Sequence, residues 1–225
     1  MNIIQAKKRK KPLIITKGIE AKHAGYRGMK VEPEGFLYIP DFLSFNEQQA
    51  LLHELRSLSY KHDVFRAQKL KRGYAQFGYS YETTSRRLTV APPIPPFLQA
   101  AIRRATFFYP ELRESIIQKP TTPYYPTDIL FTQCIVTHYP PGAGIGWHTD
   151  APQFGNYILC LSLASEARLQ FRPNSSKEVT YEVKISPGSL YMMQGLARWN
   201  YQHQVIPVKA ERYSITFRYV AKLKK

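Results

Sequence analysis

From about Gly35 onward the apolar residues follow two different periods, and each predicts its own kind of element. "GFLYIPDFL" (35–43) reads as a strand. Ser44 then precedes "FNEQQALLHELRSL", where Leu51, Leu52, Leu55 and Leu58 recur at helical spacing and Glu47 stands at the third helical position, the sequence signature of a capping box. A second helical stripe, Phe97, Leu98, Ala101, Ile102 and Ala105, predicts a helix over residues 96–109. Both stripes are most simply core-facing surfaces. In the second half the period shortens: "FTQCIVTHY", "YILCLSLA", "ARLQFRP", "VTYEVKIS", "SLYMMQG" and "RYSITFRYV" are short β-branched and aromatic runs punctuated by Gly, Pro and Asn. Many short strands at this spacing predict a sandwich or barrel with the two helices packed outside it.

Length and charge narrow the picture. The chain of 225 residues can bury one sizeable core, so a single domain over 35–225 is expected behind a basic, partly flexible segment at 1–34. With 44% hydrophobic residues the composition belongs to folded chains. A net charge of +16 exceeds what solubility needs and points to a polyanionic partner. Part of it lies in Lys7, Lys8, Arg9, Lys10 and Lys11 and in Lys222, Lys224 and Lys225, terminal runs that read as mobile tails. The N-terminal run suits either a nuclear signal or a phosphate-binding arm. The rest is spread through 66–87, in Arg66, Lys69, Lys71, Arg72, Arg86 and Arg87. Two cysteines, Cys134 and Cys160, sit in apolar runs and argue against a disulfide framework. No apolar run approaches a membrane span, and the basic N-terminus lacks the apolar stretch of a signal peptide. The expectation is a soluble intracellular monomer, cytoplasmic in a bacterium and nuclear or cytoplasmic in a eukaryote, with no membrane partner.

Chemistry enters at "GWHTD" (146–150). A His-x-Asp pair alone is weak evidence, because such spacings arise by chance. Its context strengthens it: in an extended segment residues i and i+2 share a face, so His148 and Asp150 can aim at one ion, and the turn-forming "YPPGAGIG" precedes them. His203, in "WNYQHQVIP", is a candidate third ligand, although taken alone it reads better as a hydrogen-bonded histidine near a turn. Two histidines and one carboxylate leave three metal positions open, which suits non-haem Fe(II) oxygenases, whereas a structural zinc site closes its fourth position. Downstream, alternation in "RYSITFRYV" puts Arg212, Ser214, Thr216 and Arg218 on one face and Tyr213, Ile215, Phe217 and Tyr219 on the other. Burying two cations without anions is costly. A short dicarboxylate gripped by guanidinium groups would relieve that cost; two surface salt bridges on an edge strand are the alternative.

Taken together, His148-x-Asp150, His203 and the arginine strand closely resemble the AlkB family of Fe(II)- and 2-oxoglutarate-dependent dioxygenases, whose pattern is HxD, a distal His, then RxNxTxR. The likeness runs from about Gly35 and includes "HYPPGAGIGWHTD", "FGNYILCLSLASEARLQFR" and "PGSLYMMQGLARWNYQHQVIP". The resemblance implies a mainly β fold with flanking helices and a double-stranded β-helix (jelly-roll) core. It implies iron held by His148, Asp150 and His203, with 2-oxoglutarate and O2 as cosubstrates. Arg212, helped by Tyr139, would grip the distal carboxylate of 2-oxoglutarate, and Arg218 would lie near the carboxylate that binds iron. The chain departs from the pattern at Ser214, where the family has Asn, and at Thr137, where an Asn is frequent; both keep hydrogen-bonding capacity in a different shape. Pro152 stands where some nucleobase-demethylating members carry an acidic residue.

The substrate would be presented by the first half of the chain. "KRGYAQFGYSYETTSRR" interleaves Arg72, Tyr74, Phe77, Tyr79, Tyr81, Arg86 and Arg87, a mixture suited to stacking a base and holding its phosphates. The family resemblance makes residues 64–90 a nucleotide-recognition lid over a base removed from its stack; a hairpin whose tyrosines merely pack on the core is the plainer alternative. Trp147, and Arg198 with Trp199, are further candidates for the pocket wall. The reading that follows is oxidative demethylation of N-alkylated nucleobases in DNA or RNA, for repair or editing. The alternatives are hydroxylation of a protein, lipid or tRNA-modification substrate, or a non-catalytic nucleic-acid-binding relative.

Overall fold

The computed structural model describes residues 32–65, 67–82, 85–108 and 131–220. The basic runs at 7–11 and 222–225, Arg66 and Tyr109, the last position expected for the second helix, lie outside the described residues. In chain order the elements are β1 (Phe36–Ile39), α1 (Phe45–Arg56), β2 (Val64–Phe65), β3 (Gln68–Lys69), β4 (Gly73–Phe77), β5 (Tyr79–Glu82), β6 (Arg87–Val90), α2 (Pro96–Phe108), β7 (Gln133–Tyr139), β8 (Ile145–His148), β9 (Ile158–Leu163), β10 (Ala167–Pro173), β11 (Tyr181–Ile185), β12 (Ser189–Met193), α3 (Gly195–Trp199), β13 (Tyr201–Val205) and β14 (Arg212–Arg218). None of these helices is long and apolar enough to cross a membrane.

The strands form two facing antiparallel sheets, a larger one in the order β1-β12-β9-β14-β7-β4 and a smaller one in the order β11-β10-β13-β8. From β7 to β14 the chain crosses repeatedly between them, with β7, β9, β12 and β14 in the larger sheet and β8, β10, β11 and β13 in the smaller. This is the winding of the jelly-roll that the sequence resemblance implies. Two further hairpins, β2–β3 and β5–β6, stand apart from both sheets.

Period-2 alternation sorts the larger sheet's residues between two cores. Leu159, Leu161 and Leu163 of β9, with Tyr213, Ile215 and Phe217 of β14, face the helices and pack with Leu51, Leu52 and Leu55 of α1 and Leu98, Ile102 and Ala105 of α2. Leu55, Leu98 and Ile102 are completely buried, and each such side chain stabilises the fold by about 1.5–3 kcal/mol. The intervening residues, including Ile158, Cys160 and Tyr191, meet Leu169, Phe171 and Val205 of the smaller sheet. α1 begins as its sequence predicts, with Ser44 as N-cap and the reciprocal bond from its backbone N–H to Glu47 at 2.8 Å.

α3, β8, β13 and the two-residue strands β2 and β3 were not predicted as such. α3 occupies only five residues of "GLARW", too few for a helical period to show. β8 and β13 are short and rich in Gly, His and Gln, so neither looks like a strand until paired with its neighbour.

Candidate active site

The turn before β8 depends on two glycines. Gly142 has φ +78°, and a Cβ on Gly144 would lie 2.6 Å from the carbonyl oxygen of Val205, so only a bare backbone can pass this close to β13. That approach sets β8 beside β13 with His148 directly opposite His203. Their rings lie 4.2 Å apart between centroids, and Asp150, two residues on, brings Oδ2 to 3.7 Å from His203 Nε2. The three side chains proposed from sequence are therefore together.

His148 Nδ1 donates to the carbonyl of Gly146 at 2.8 Å, because a carbonyl can only accept. This fixes the tautomer and leaves Nε2 with a free lone pair. Burial lowers the His148 pKa, and burial with the neighbouring His148 pushes His203 down to about 3, so both rings are neutral near pH 7. Asp150 behaves oppositely. Burial would raise it, but Arg218 and the two histidines, aided by Arg198, outweigh burial and hold the carboxyl below the usual carboxylate range. Arg218 Nη2 lies 2.5 Å from Asp150 Oδ1. Among the described residues no group of three or more His, Cys, Asp or Glu side chains is arranged to hold a metal ion. The donor chemistry nonetheless fits Fe(II): two neutral imidazoles and an ionised carboxylate, all on one wall.

β14 positions the arginines as its alternation predicts. Arg212 is 1% exposed, donates from Nε to Ser162 Oγ at 3.0 Å, lies over the Tyr139 ring at 5.0 Å, and has a buried Nη1 with no partner. A fully buried cation with an unsatisfied donor wants an anion, and the distal carboxylate of 2-oxoglutarate fits that need. Ser214 and Thr137 sit directly opposite each other across β14 and β7, both buried and both lining the cavity. Arg218 lies over the Phe154 ring at 4.5 Å, and its Nε is also without a partner.

A cavity of about 1260 Å³ runs from His148, Asp150 and His203 to the first half of the chain, where Arg72, Tyr74, Phe77 and Tyr81 line it. Arg212, Tyr79, Arg86, Trp147, Arg198 and Trp199, all named from sequence, are not among the cavity's lining residues. Tyr79 packs against the core between the sheets and is not among the cavity's lining residues. Trp147 is also absent from that lining and stacks under Arg172 at 4.4 Å. Arg198 is no pocket wall: its guanidinium donates to the carbonyls of Asp150 at 3.0 Å, Ala151 at 2.9 Å and Gly155 at 3.2 Å, with Trp199 stacked at 4.2 Å. It is a positioning residue that holds the loop carrying Asp150.

Sequence reasoning missed Gln76, which exchanges two hydrogen bonds with the Tyr81 backbone, accepting at 2.8 Å and donating at 3.3 Å. It ties β5 to β4, and Tyr81 then meets Phe154 edge-on at 5.3 Å. Asp63, which pairs with Arg72 at 3.4 Å, was missed as well. The only available signal was that Gln76 lies two residues from Tyr74 on one strand; Asp63 left none.

Comparison with known proteins agrees with this geometry. A family model described as the 2OG-Fe(II) oxygenase superfamily matches residues 35–218. The chain is 27% identical over 187 residues to the mouse protein named tRNA (carboxymethyluridine(34)-5-O)-methyltransferase ALKBH8, covering 81% of this chain but only 26% of that protein. It is also 27% identical over 202 residues to uncharacterized protein L905 of Acanthamoeba polyphaga mimivirus, covering 84% and 87% of the two chains. Among solved structures, OsALKBH1 superposes with a TM-score of 0.65 at 17% identity, over 85% of this chain and 99% of that one. A Pseudomonas putida prolyl-4-hydroxylase superposes with a TM-score of 0.57 at 15% identity, over 83% and 93%. The structural likenesses speak for the fold.

Proposed function

Because the chain belongs to the 2OG-Fe(II) oxygenase superfamily, we propose that this dioxygenase removes N-alkyl groups from nucleobases of DNA or RNA by oxidation. The observation that carries the reading is the continuous cavity, with the His148, Asp150 and His203 cluster at one end and the basic, aromatic lid at the other. The net charge of +16 and the tRNA nucleoside in one relative's name support a nucleic-acid substrate.

Bound Fe(II) supplies the oxidation: O2 and 2-oxoglutarate yield succinate and CO2, and the second oxygen atom enters a substrate C–H bond. His148 Nε2, His203 and Asp150 would hold the metal, with Arg218 giving up part of its hold on the carboxylate. Arg212 and Tyr139 would bind the distal carboxylate of 2-oxoglutarate, and Ser214 and Thr137 would contact the body of the same molecule. Arg198 keeps the Asp150 loop in place. Tyr74, Phe77 and Tyr81 would stack the flipped base. A hydroxylated N-methyl group then breaks its N–C bond, leaving N–H on the base and releasing formaldehyde.

Anaerobic reconstitution with Fe(II) and 2-oxoglutarate, followed by oxygen and methylated DNA and RNA oligonucleotides, tests the reading. Succinate and formaldehyde in equal yield with one oligonucleotide are expected, and Asp150→Ala should abolish both. Succinate without formaldehyde from every oligonucleotide would defeat the demethylation reading.

A further inference from the structure

Resting on the nucleic-acid reading above, we infer that the compartment under the lid takes a modified base bearing no formal positive charge. N-methylation makes some bases cationic, as in 3-methylcytidine, and leaves others neutral, as in 3-methyluridine. The charges lining the compartment decide between them.

Away from the metal cluster, the described lining residues include two carboxylates, Asp63 and Glu82, and three cations, Lys61, Arg72 and Arg87. Of the two carboxylates only Asp63 is in an ion pair among the described residues. Asp63 pairs with Arg72 at 3.4 Å, and after burial its proximity is the chief influence raising the Tyr74 pKa. Glu82 accepts from the Ser85 hydroxyl and stands opposite Arg87 across the β5–β6 hairpin. At the inner end Asp150 is held by Arg218, and its neighbours on the wall, Thr149 and Ala151, carry no charge.

Within the Asp63–Arg72 pair the arginine is the more buried, at 18% side-chain exposure against 38%. The deeper partner is the cation. Its single long contact to Asp63 leaves most of its five N–H donors uncommitted to that carboxylate. A cationic base entering here would meet three cations against two carboxylates, with Asp63 already paired to Arg72, and like charges brought together away from water are strongly disfavoured. A neutral base offers carbonyl acceptors that Arg72 can satisfy, and a base with an anionic substituent would gain a charge-assisted bond. Aromatic stacking on Tyr74, Phe77 and Tyr81 would serve all of them and does not discriminate.

The test uses two single-stranded oligonucleotides of one sequence, carrying either 3-methyluridine or 3-methylcytidine, which place the methyl group on the same ring nitrogen. Formaldehyde release by the iron-loaded full chain should show kcat/KM at least about tenfold higher for the neutral base. Fluorescence anisotropy with the metal-free protein should rank the two in the same order. Arg72→Gln, which frees Asp63, should shift the ratio toward 3-methylcytidine. Equal or better turnover of 3-methylcytidine by the native chain would overturn the inference while leaving demethylation intact, and an unchanged ratio in the variant would remove Arg72 as its source and overturn it too. No formaldehyde from either base, or from any other methylated oligonucleotide, would bring down both readings.

Discussion

Arg212 places a permanent cation at 1% exposure, with Ser162 as its hydrogen-bonding neighbour, an aromatic ring beneath it and one Nη without a partner. Such a group is tolerable only if a ligand completes it. Arg212→Ala should therefore raise the KM for 2-oxoglutarate by roughly 10- to 100-fold, the loss expected for charge-assisted hydrogen bonds of about 1.5–3 kcal/mol. Titrating 2-oxoglutarate at saturating oligonucleotide checks this, and an unchanged KM would remove the residue from the site. Arg198 is buried for a different purpose, since its three hydrogen bonds all go to backbone carbonyls of the loop after His148. In Arg198→Met those carbonyls lose their donors. Tm should fall by about 5–10 °C, and Fe(II) should bind more weakly, with the KM for 2-oxoglutarate nearly unchanged. Calorimetry and metal titration would show this, whereas a selective loss of oligonucleotide binding would restore Arg198 to the pocket wall.

At the level of elements, the lid hairpin β5–β6 is tied to β4 by the exchange between Gln76 and the Tyr81 backbone. Hairpins with little support of their own depend on such ties. Gln76→Ala should loosen β5, raising the KM for oligonucleotide several-fold without altering that for 2-oxoglutarate. A change in the 2-oxoglutarate KM instead would mean that Gln76 supports the core and not the lid. β14 needs no comparable tie: it is paired on both sides, with β7 and β9, which explains how it can present two arginines to the interior from a fixed backbone.

On the scale of the whole molecule the two sheets bring His148, Asp150 and His203 together, and under the proposed function the first half of the chain would supply recognition. The excess positive charge lies partly in the sequence termini and partly in residues 66–87. Five consecutive cations occupy positions 7–11. If they contact phosphates, deleting residues 1–11 should weaken binding of a single-stranded oligonucleotide and flatten the plot of log K against log salt by up to about 3.5 in slope. Succinate formation at saturating substrate should be retained. An unchanged slope would mean that the run makes no phosphate contact.

The amino-acid sequence by itself determined what depends on local period and residue type. Alternation in "RYSITFRYV" placed Arg212 and Arg218 on one face and Tyr213, Ile215 and Phe217 on the other, because successive side chains of any strand point to opposite sides. Ser44 and Glu47 marked the start of α1 because capping acts over three residues. The spacing of His148 and Asp150 likewise survived into the site. Only the tertiary structure set His203 opposite His148, turned Arg198 away from the cavity onto three carbonyls, put Trp147 beneath Arg172, and paired Arg72 with Asp63. Those contacts join segments through hydrogen bonds and charge pairs that obey no sequence period, so a buried arginine serving a loop and one awaiting a dianion look alike until the chain is folded.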